Sequence, residues 1–137
     1  MPATRREVIQ QFVPNSPLVQ HLGMRLEAIE DGRAELVLPF RPELATIDDV
    51  VHGGAIASLI DTAGMAATWS DDTEPDSLAG ATLTLNVNYT SAARGKDLTA
   101  VATVTKRGRS IVFSDVTVTE PDGRVVATGS VVQRFGS

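Results

Sequence analysis

The sequence has no cysteine, and only six of its 137 residues are aromatic: four Phe, one Tyr and one Trp. Without cysteine there can be no disulfide, no thiolate metal ligand and no thiol nucleophile. Positive charge is also scarce. Twelve Lys and Arg face seventeen Asp and Glu, giving a net charge of -5 and a pI of about 4.9. A nucleic-acid binder draws most of its affinity from clustered cations, so that class is excluded. A few local cations could still hold the phosphates of a small molecule. Long hydrophobic runs are missing as well. The longest charge-poor stretch, Val50 to Ser70, carries Asp61 near its middle and is broken by Gly and Thr. It makes a poor membrane span. The charged start, Met1 to Glu7, leads into no apolar run of signal-peptide length. The expectation is a cytoplasmic protein with no membrane partner.

What is present is an ordinary globular composition, 42% hydrophobic and 21% charged. The length suits one domain over residues 1–137, with residues 1–20 as an N-terminal helix and linker. Thr4 to Val13 has Val8, Ile9 and Phe12 at helical spacing and Thr4 as N-cap, with Pro14 and Pro17 ending the helix. Apolar residues then alternate over Met24–Ile29 and Ala34–Leu38, on either side of a Glu30-Asp31-Gly32 turn, which predicts a hairpin. Pro39 and Pro42 open a loop reaching His52. Gly53 to Ser70 is the one long helix. Its apolar stripe is Ile56, Ile60, Ala63 and Ala67, widened by Leu59, and Asp61 is its only charge. Residues 71–76 read as an acidic, solvated loop. Four strands follow, at 81–90, 98–105, 111–119 and 124–134. In the first of these, Leu83, Leu85, Val87 and Tyr89 alternate with Thr82, Thr84, Asn86 and Asn88. Short connections between these strands predict antiparallel pairing of neighbours. One buried helix beside a mostly antiparallel sheet is an α+β arrangement in which the sheet wraps the helix.

The chemistry concentrates in His52-Gly53-Gly54 at the start of that helix, with Asp61 nine residues after His52. Glycines at a helix start leave the first backbone N–H groups unshielded, at the positive end of the helix dipole. Donors of that kind stabilise charge appearing on a carbonyl oxygen. Asp61 points about 140° from the centre of the apolar stripe, judged from 3.6 residues per turn. It is either a surface carboxylate or a functional one. Its neighbours on that side, Ala57, Gly64, Met65 and Thr68, are small or apolar and suit a covered surface such as a dimer seam.

This stretch resembles the signature of the PaaI-like (phenylacetate-degradation type) hotdog thioesterases, N-x-x-G-x-x-H-G-G followed by an acid nine residues after the His. The likeness spans roughly Leu22 to Arg134. It implies the hotdog fold and hydrolysis of an acyl- or aryl-CoA thioester, with no cofactor beyond the CoA of the substrate. Asp61 falls on the catalytic acid, either as general base toward water or as nucleophile through an anhydride. Gly53 falls on the amide that polarises the thioester. His52 shapes the loop, and Thr82 lies where relatives hold the attacking water. Thr46, Gly54 and Met65 fall near the acyl group and thioester. The CoA site falls on Thr90, Ser91, Arg94, Lys106, Arg107, Gly108 and Arg134. A homodimer is implied, with each site drawn from two subunits; further pairing into a dimer of dimers is the favoured assembly, with the plain dimer left open. Two positions depart from the pattern: Thr46 replaces the family Asn, and Asp49 replaces its early Gly. Those departures keep a non-catalytic acyl-CoA binder in view. A hotdog hydroxyacyl dehydratase or hydratase is the other alternative, but His52 precedes the helix, which suits thioesterases better. His21 reads as a surface residue, and two His without an acid cluster predict no metal site.

Overall fold

A computed structural model describes residues 2–136. The chain opens with α1 (Arg5–Asn15) and α2 (Pro17–Leu22). Thr4 caps α1 through a reciprocal pair: Thr4 Oγ1 accepts from the Glu7 N–H at 3.3 Å, and the Thr4 N–H donates to Glu7 Oε1 at 3.0 Å. These bonds from Thr4 hold the Glu7 carboxyl below the usual carboxylate range. The helix runs through Pro14 to Asn15, beyond the expected stop. Proline's fixed φ is itself helical, and the loss is one backbone bond in the last turn. Residues 17–22 are helical where a linker was expected, and Ile9, Val13 and Val19 are buried in the core.

The hairpin forms as anticipated, from β1 (Arg25–Glu30) and β2 (Arg33–Leu38). The segment to His52 is more ordered than a loop. It holds a 3-10 turn at Pro42–Leu44 and a small hairpin, β3 (Ala45–Ile47) with β4 (Val50–Val51). The long helix α3 (Gly53–Thr68) then leads to β5 (Gly80–Tyr89), β6 (Leu98–Arg107), β7 (Ile111–Thr119) and β8 (Val125–Phe135). Six strands make one antiparallel sheet in the order β1-β2-β6-β7-β8-β5. Neighbour pairing holds for β6–β7 and β7–β8, but β5 pairs with β8 instead of β6. The reason is that β6 already has β2 on one side and β7 on the other. Residues 90–97 therefore cross the end of the sheet.

The sheet wraps α3. Ile56, Leu59, Ile60, Ala63 and Ala67 are buried against it, as the stripe predicted. A Cβ on Gly64 would lie 2.6 Å from Val131 Cβ, so glycine is what lets α3 lie directly on β8. Leu59 and Ile60 are fully buried, and truncating either to Ala would cost about 2–5 kcal/mol.

The acidic loop is only partly solvated. Asp71 is buried, with Arg5 Nη1 at 3.1 Å and Arg107 Nη1 at 3.4 Å from its Oδ2. A buried carboxylate needs such partners, and here they tie the start of α1 to the end of α3.

Candidate active site

A β-bulge organises the site. The pairing of β5 with β8 shifts between Thr82 and Thr84, so Thr82 opposes Gln133 while Leu85 opposes Val131. The uninterrupted alternation expected for β5 is broken there. Thr82 joins Leu85, Val87 and Tyr89 on the helix side of the sheet instead of opposing them. Bulges commonly re-aim a side chain in this way.

The re-aimed Thr82 hydroxyl donates to Asp61 Oδ1 at 2.7 Å, and Gln133 Nε2 donates to Thr82 Oγ1 at 2.5 Å. An amide N–H can only donate, so it occupies a lone pair of the hydroxyl and leaves the hydroxyl proton for Asp61. Asp61 is half-buried and keeps its second oxygen free of protein partners among the described residues. Gln133 is buried and its role was not foreseen. The alternating pattern of β8 shows only that it faces inward.

At the other end of α3, His52 is the N-cap: its Nδ1 accepts from the Gly54 N–H at 2.8 Å. The Ala55 and Ile56 N–H groups bond back to the His52 carbonyl. That leaves the Gly53 N–H without a protein acceptor among the described residues, at the positive end of the helix. Its carbonyl accepts from the Tyr89 hydroxyl at 2.7 Å, and a Cβ on Gly53 would meet the Tyr89 ring at 3.2 Å. Tyr89 thus fixes the helix start, a role invisible in sequence because the partner is a backbone atom 36 positions away. His52 carries its remaining proton on Nε2, since Nδ1 is an acceptor, so it cannot be a base without giving up the cap.

The residues expected at the CoA site do not form one patch within the chain. Thr90, Ser91 and Arg94 lie at the end of the sheet where β6 begins; Lys106, Arg107, Gly108 and Arg134 lie where it ends. Ten residues of strand separate the two groups, about 30 Å. Arg107 is committed elsewhere: it donates to the Thr68 and Ala67 carbonyls and pairs with Asp71, capping the C-terminus of α3. Thr90 Oγ1 bonds the Val125 carbonyl, and Gly108 closes its turn onto the Ile111 carbonyl. Lys106 is exposed and makes no ion pair among the described residues. Arg94 pairs with Asp49 at 3.5 Å, which offsets the charge that Asp49 introduces. Thr46 is exposed on β3. Met65 lies one turn beyond Asp61 and lines a cavity reaching Thr82; Gly54 lies beside His52 in a separate shallow pocket. A larger cleft between α1 and β1, about 500 Å³, touches none of Asp61, Thr82 and Gly53.

Residues 48–127, more than half the chain, match the family model described as the Thioesterase superfamily. A candidate esterase of Halobacterium salinarum is 37% identical over 83% of this chain and 77% of its own length. The medium/long-chain acyl-CoA thioesterase YigI of Escherichia coli is 25% identical, covering 93% of this chain and 90% of that protein. In fold, the Escherichia coli PaaI protein of the phenylacetic acid degradation operon superposes with a TM-score of 0.80. It is 20% identical, over 93% of this chain and 89% of that one. The chain belongs to the thioesterase superfamily and has the hotdog fold. It is a thioester hydrolase.

Proposed function

We propose that this hydrolase cleaves acyl-CoA thioesters at a site shared by two copies of the chain, with Asp61 of one copy acting on a carbonyl held by the Gly53 amide of the other. One observation carries this reading. The open Gly53 amide and Asp61 lie eight residues apart on a single helix, about 12 Å along its axis, so one chain cannot address one carbonyl with both. Both groups flank β5, the edge strand: Asp61 beside Thr82 near its start, Gly53 beside Tyr89 at its end. Antiparallel pairing of β5 with β5 of a second copy brings the start of one strand to the end of the other. That places each Asp61 near the other copy's Gly53 amide. The same pairing joins the two half-patches of cations, giving CoA phosphates a place to bind.

In the proposed reaction Asp61 takes a proton from water while the water oxygen bonds to the thioester carbon. The carbonyl oxygen becomes an oxyanion facing the Gly53 N–H and the helix dipole. The tetrahedral centre collapses, the C–S bond breaks, and the thiolate takes the proton held by Asp61. The products are a carboxylic acid and CoA, and no cofactor is consumed. Thr82 and Gln133 orient Asp61 so that its free oxygen meets the water. The acyl-CoA named for YigI supports this substrate class. The cap formed by His52 counts against the dehydratase alternative, which needs histidine as a base.

The test is complementation. Gly53→Val, whose side chain crowds both the amide and the Tyr89 ring, and Asp61→Asn should each be inactive alone. Mixed after subunit exchange, they should recover roughly a quarter of wild-type activity, because random pairing makes about half heterodimers with one intact site each. Size exclusion must first confirm folding and exchange. No recovery after verified exchange would place the site within one chain.

A further inference from the structure

Asp61 and Met65 are four residues apart on one face of α3, and Trp69, the C-cap, continues that spacing one turn on. Along that face, starting beside Thr82 and Gln133, runs a cavity of about 230 Å³ with no charged side chain in its lining. Its inner wall is Met65 and Trp69, and its outer wall is α1, through Val8, Ile9 and Phe12. Phe12 and Leu78 stand at its mouth, 52% and 72% exposed, and a shallow groove continues past them along α1 to Ala3 and Gln11.

We infer that α1 is the wall of the acyl-chain pocket, and that Val8 and Phe12 set the chain length accepted. The inference rests on reading Asp61 as the catalytic carboxylate, because the cavity begins at Thr82, whose hydroxyl bonds Asp61. From Asp61 to Trp69 the α3 axis advances about 12 Å. An extended peptide chain covers about 1.2 Å per backbone atom, so about ten chain atoms fit along this wall before the mouth. An apolar chain is the matching occupant. A charged or hydroxylated acyl group would lose hydration with little polar surface to replace it, and an acetyl group would leave the wall unused.

The wall is fixed in place at one end. Arg5 and Arg6 donate their backbone N–H groups to the Thr73 and Asp71 carbonyls, and the Arg5 side chain joins the buried Asp71 cluster. Arg5 also lies over the Phe135 ring at 3.7 Å, and that ring packs edge-on to Trp69. The first turn of α1 is therefore tied to the end of α3 that floors the cavity. Phe12, two turns later, projects to the mouth.

The experiment uses the full chain and a series from acetyl- through decanoyl- to hexadecanoyl-CoA. In the wild type kcat/KM should rise at least about tenfold from acetyl to decanoyl. Val8→Trp fills the wall and should lower the decanoyl-to-acetyl ratio by about tenfold or more. Phe12→Ala, at an exposed position, should raise the hexadecanoyl-to-decanoyl ratio by about threefold. Far-UV circular dichroism checks that both variants fold; if Val8→Trp does not, Phe12→Ala decides alone. Equal factors at every chain length would overturn the inference. If the wild type hydrolyses no CoA ester, the catalytic reading fails. The pocket is then judged by displacement of dansylundecanoate with decanoate in wild type and Phe12→Ala. A change of about threefold or more in decanoate affinity supports the wall, and equal affinity overturns it.

Discussion

The two edges of the sheet are built on opposite plans. β1 has six residues, three of them charged (Arg25, Glu27, Glu30), a bulge between Leu26 and Ala28, and an Arg25–Glu27 ion pair along its surface. Charge, a short length and a bulge are the devices that keep an edge from pairing with another chain. β5 has ten residues and not one charge, and it exposes Leu83, Leu85 and Tyr89. Its bulge lies near one end and leaves seven residues of regular pairing from Thr84 to Tyr89 and beyond to Thr90. A long, uncharged edge with exposed leucines is costly in a lone chain. The strand left open is also the one that carries Thr82 to Asp61 and Tyr89 to Gly53. If β5 is the seam proposed above, assembly and chemistry are asked of the same strand, and a set of substitutions can separate them.

The largest effect should come from the chemistry alone. Asp61→Asn keeps the side-chain volume and can still accept from Thr82, so the fold and the state of the β5 edge should be unchanged by size exclusion. Thioester hydrolysis should fall by on the order of 10²–10⁴ in kcat, the range for losing a positioned base. Turnover near wild type would remove Asp61 from the mechanism.

The comparison of edges is broken most directly by adding a charge to each. Leu85→Arg places a cation on the open edge, where a second strand would desolvate it. An unpaired buried charge costs about 3–5 kcal/mol, so association should weaken by on the order of 10²-fold or more, with activity lost in proportion. Ala28→Arg puts the same charge on an edge already charged and should change stability by less than about 0.5 kcal/mol. Light scattering coupled to size exclusion reads both. Equal responses at the two edges would mean that β5 is not a seam.

A smaller change isolates the positioning of the carboxylate. Thr82→Val removes the hydroxyl that donates to Asp61 and leaves Gln133 without its acceptor. A hydrogen bond to a charged group contributes about 1.5–3 kcal/mol, so kcat should drop by roughly tenfold or somewhat more with no change in assembly. A variant that also dissociates would show that Thr82 serves the edge as much as the acid.

The sequence alone was readable where the argument needs only near neighbours or a repeating period. The Thr4 cap, the hairpin around Gly32, the stripe from Ile56 to Ala67 and the strand limits near Leu98 and Ile111 are of that kind. Asp61 was visible because a lone charge in a buried helix needs an explanation. What period and spacing miss is a contact made by the register of distant strands. The Thr82–Thr84 bulge adds one residue to one strand only after β8 is in place, and it decides which way Thr82 points. Arg107 shows the same limit. It reads as one of a cluster of turn cations, yet the fold brings the carbonyl end of α3 to it, and a helix C-terminus is a favourable partner for a guanidinium.

The weakest and most discriminating effect concerns the cations, because the proposed β5 seam would bring the two ends of the sheet into one patch. Arg94 and Lys106 sit about 30 Å apart along β6 in one chain. Paired antiparallel along β5, one copy's Thr90–Arg94 segment approaches the other copy's Lys106 and Arg134. Arg94→Ala and Lys106→Ala should then each raise KM for an acyl-CoA by roughly three- to tenfold and leave kcat near normal, the mark of lost uniform binding. Neither should alter KM for the matching acyl-pantetheine, which lacks the nucleotide phosphates. Arg107→Ala is the control with a different signature. It should lower the unfolding temperature by several degrees, since a charged bond to the α3 carbonyls and Asp71 is lost at about 1.5–3 kcal/mol. If only one of Arg94 and Lys106 responds, the nucleotide lies at one end of the sheet and the antiparallel seam does not build its site.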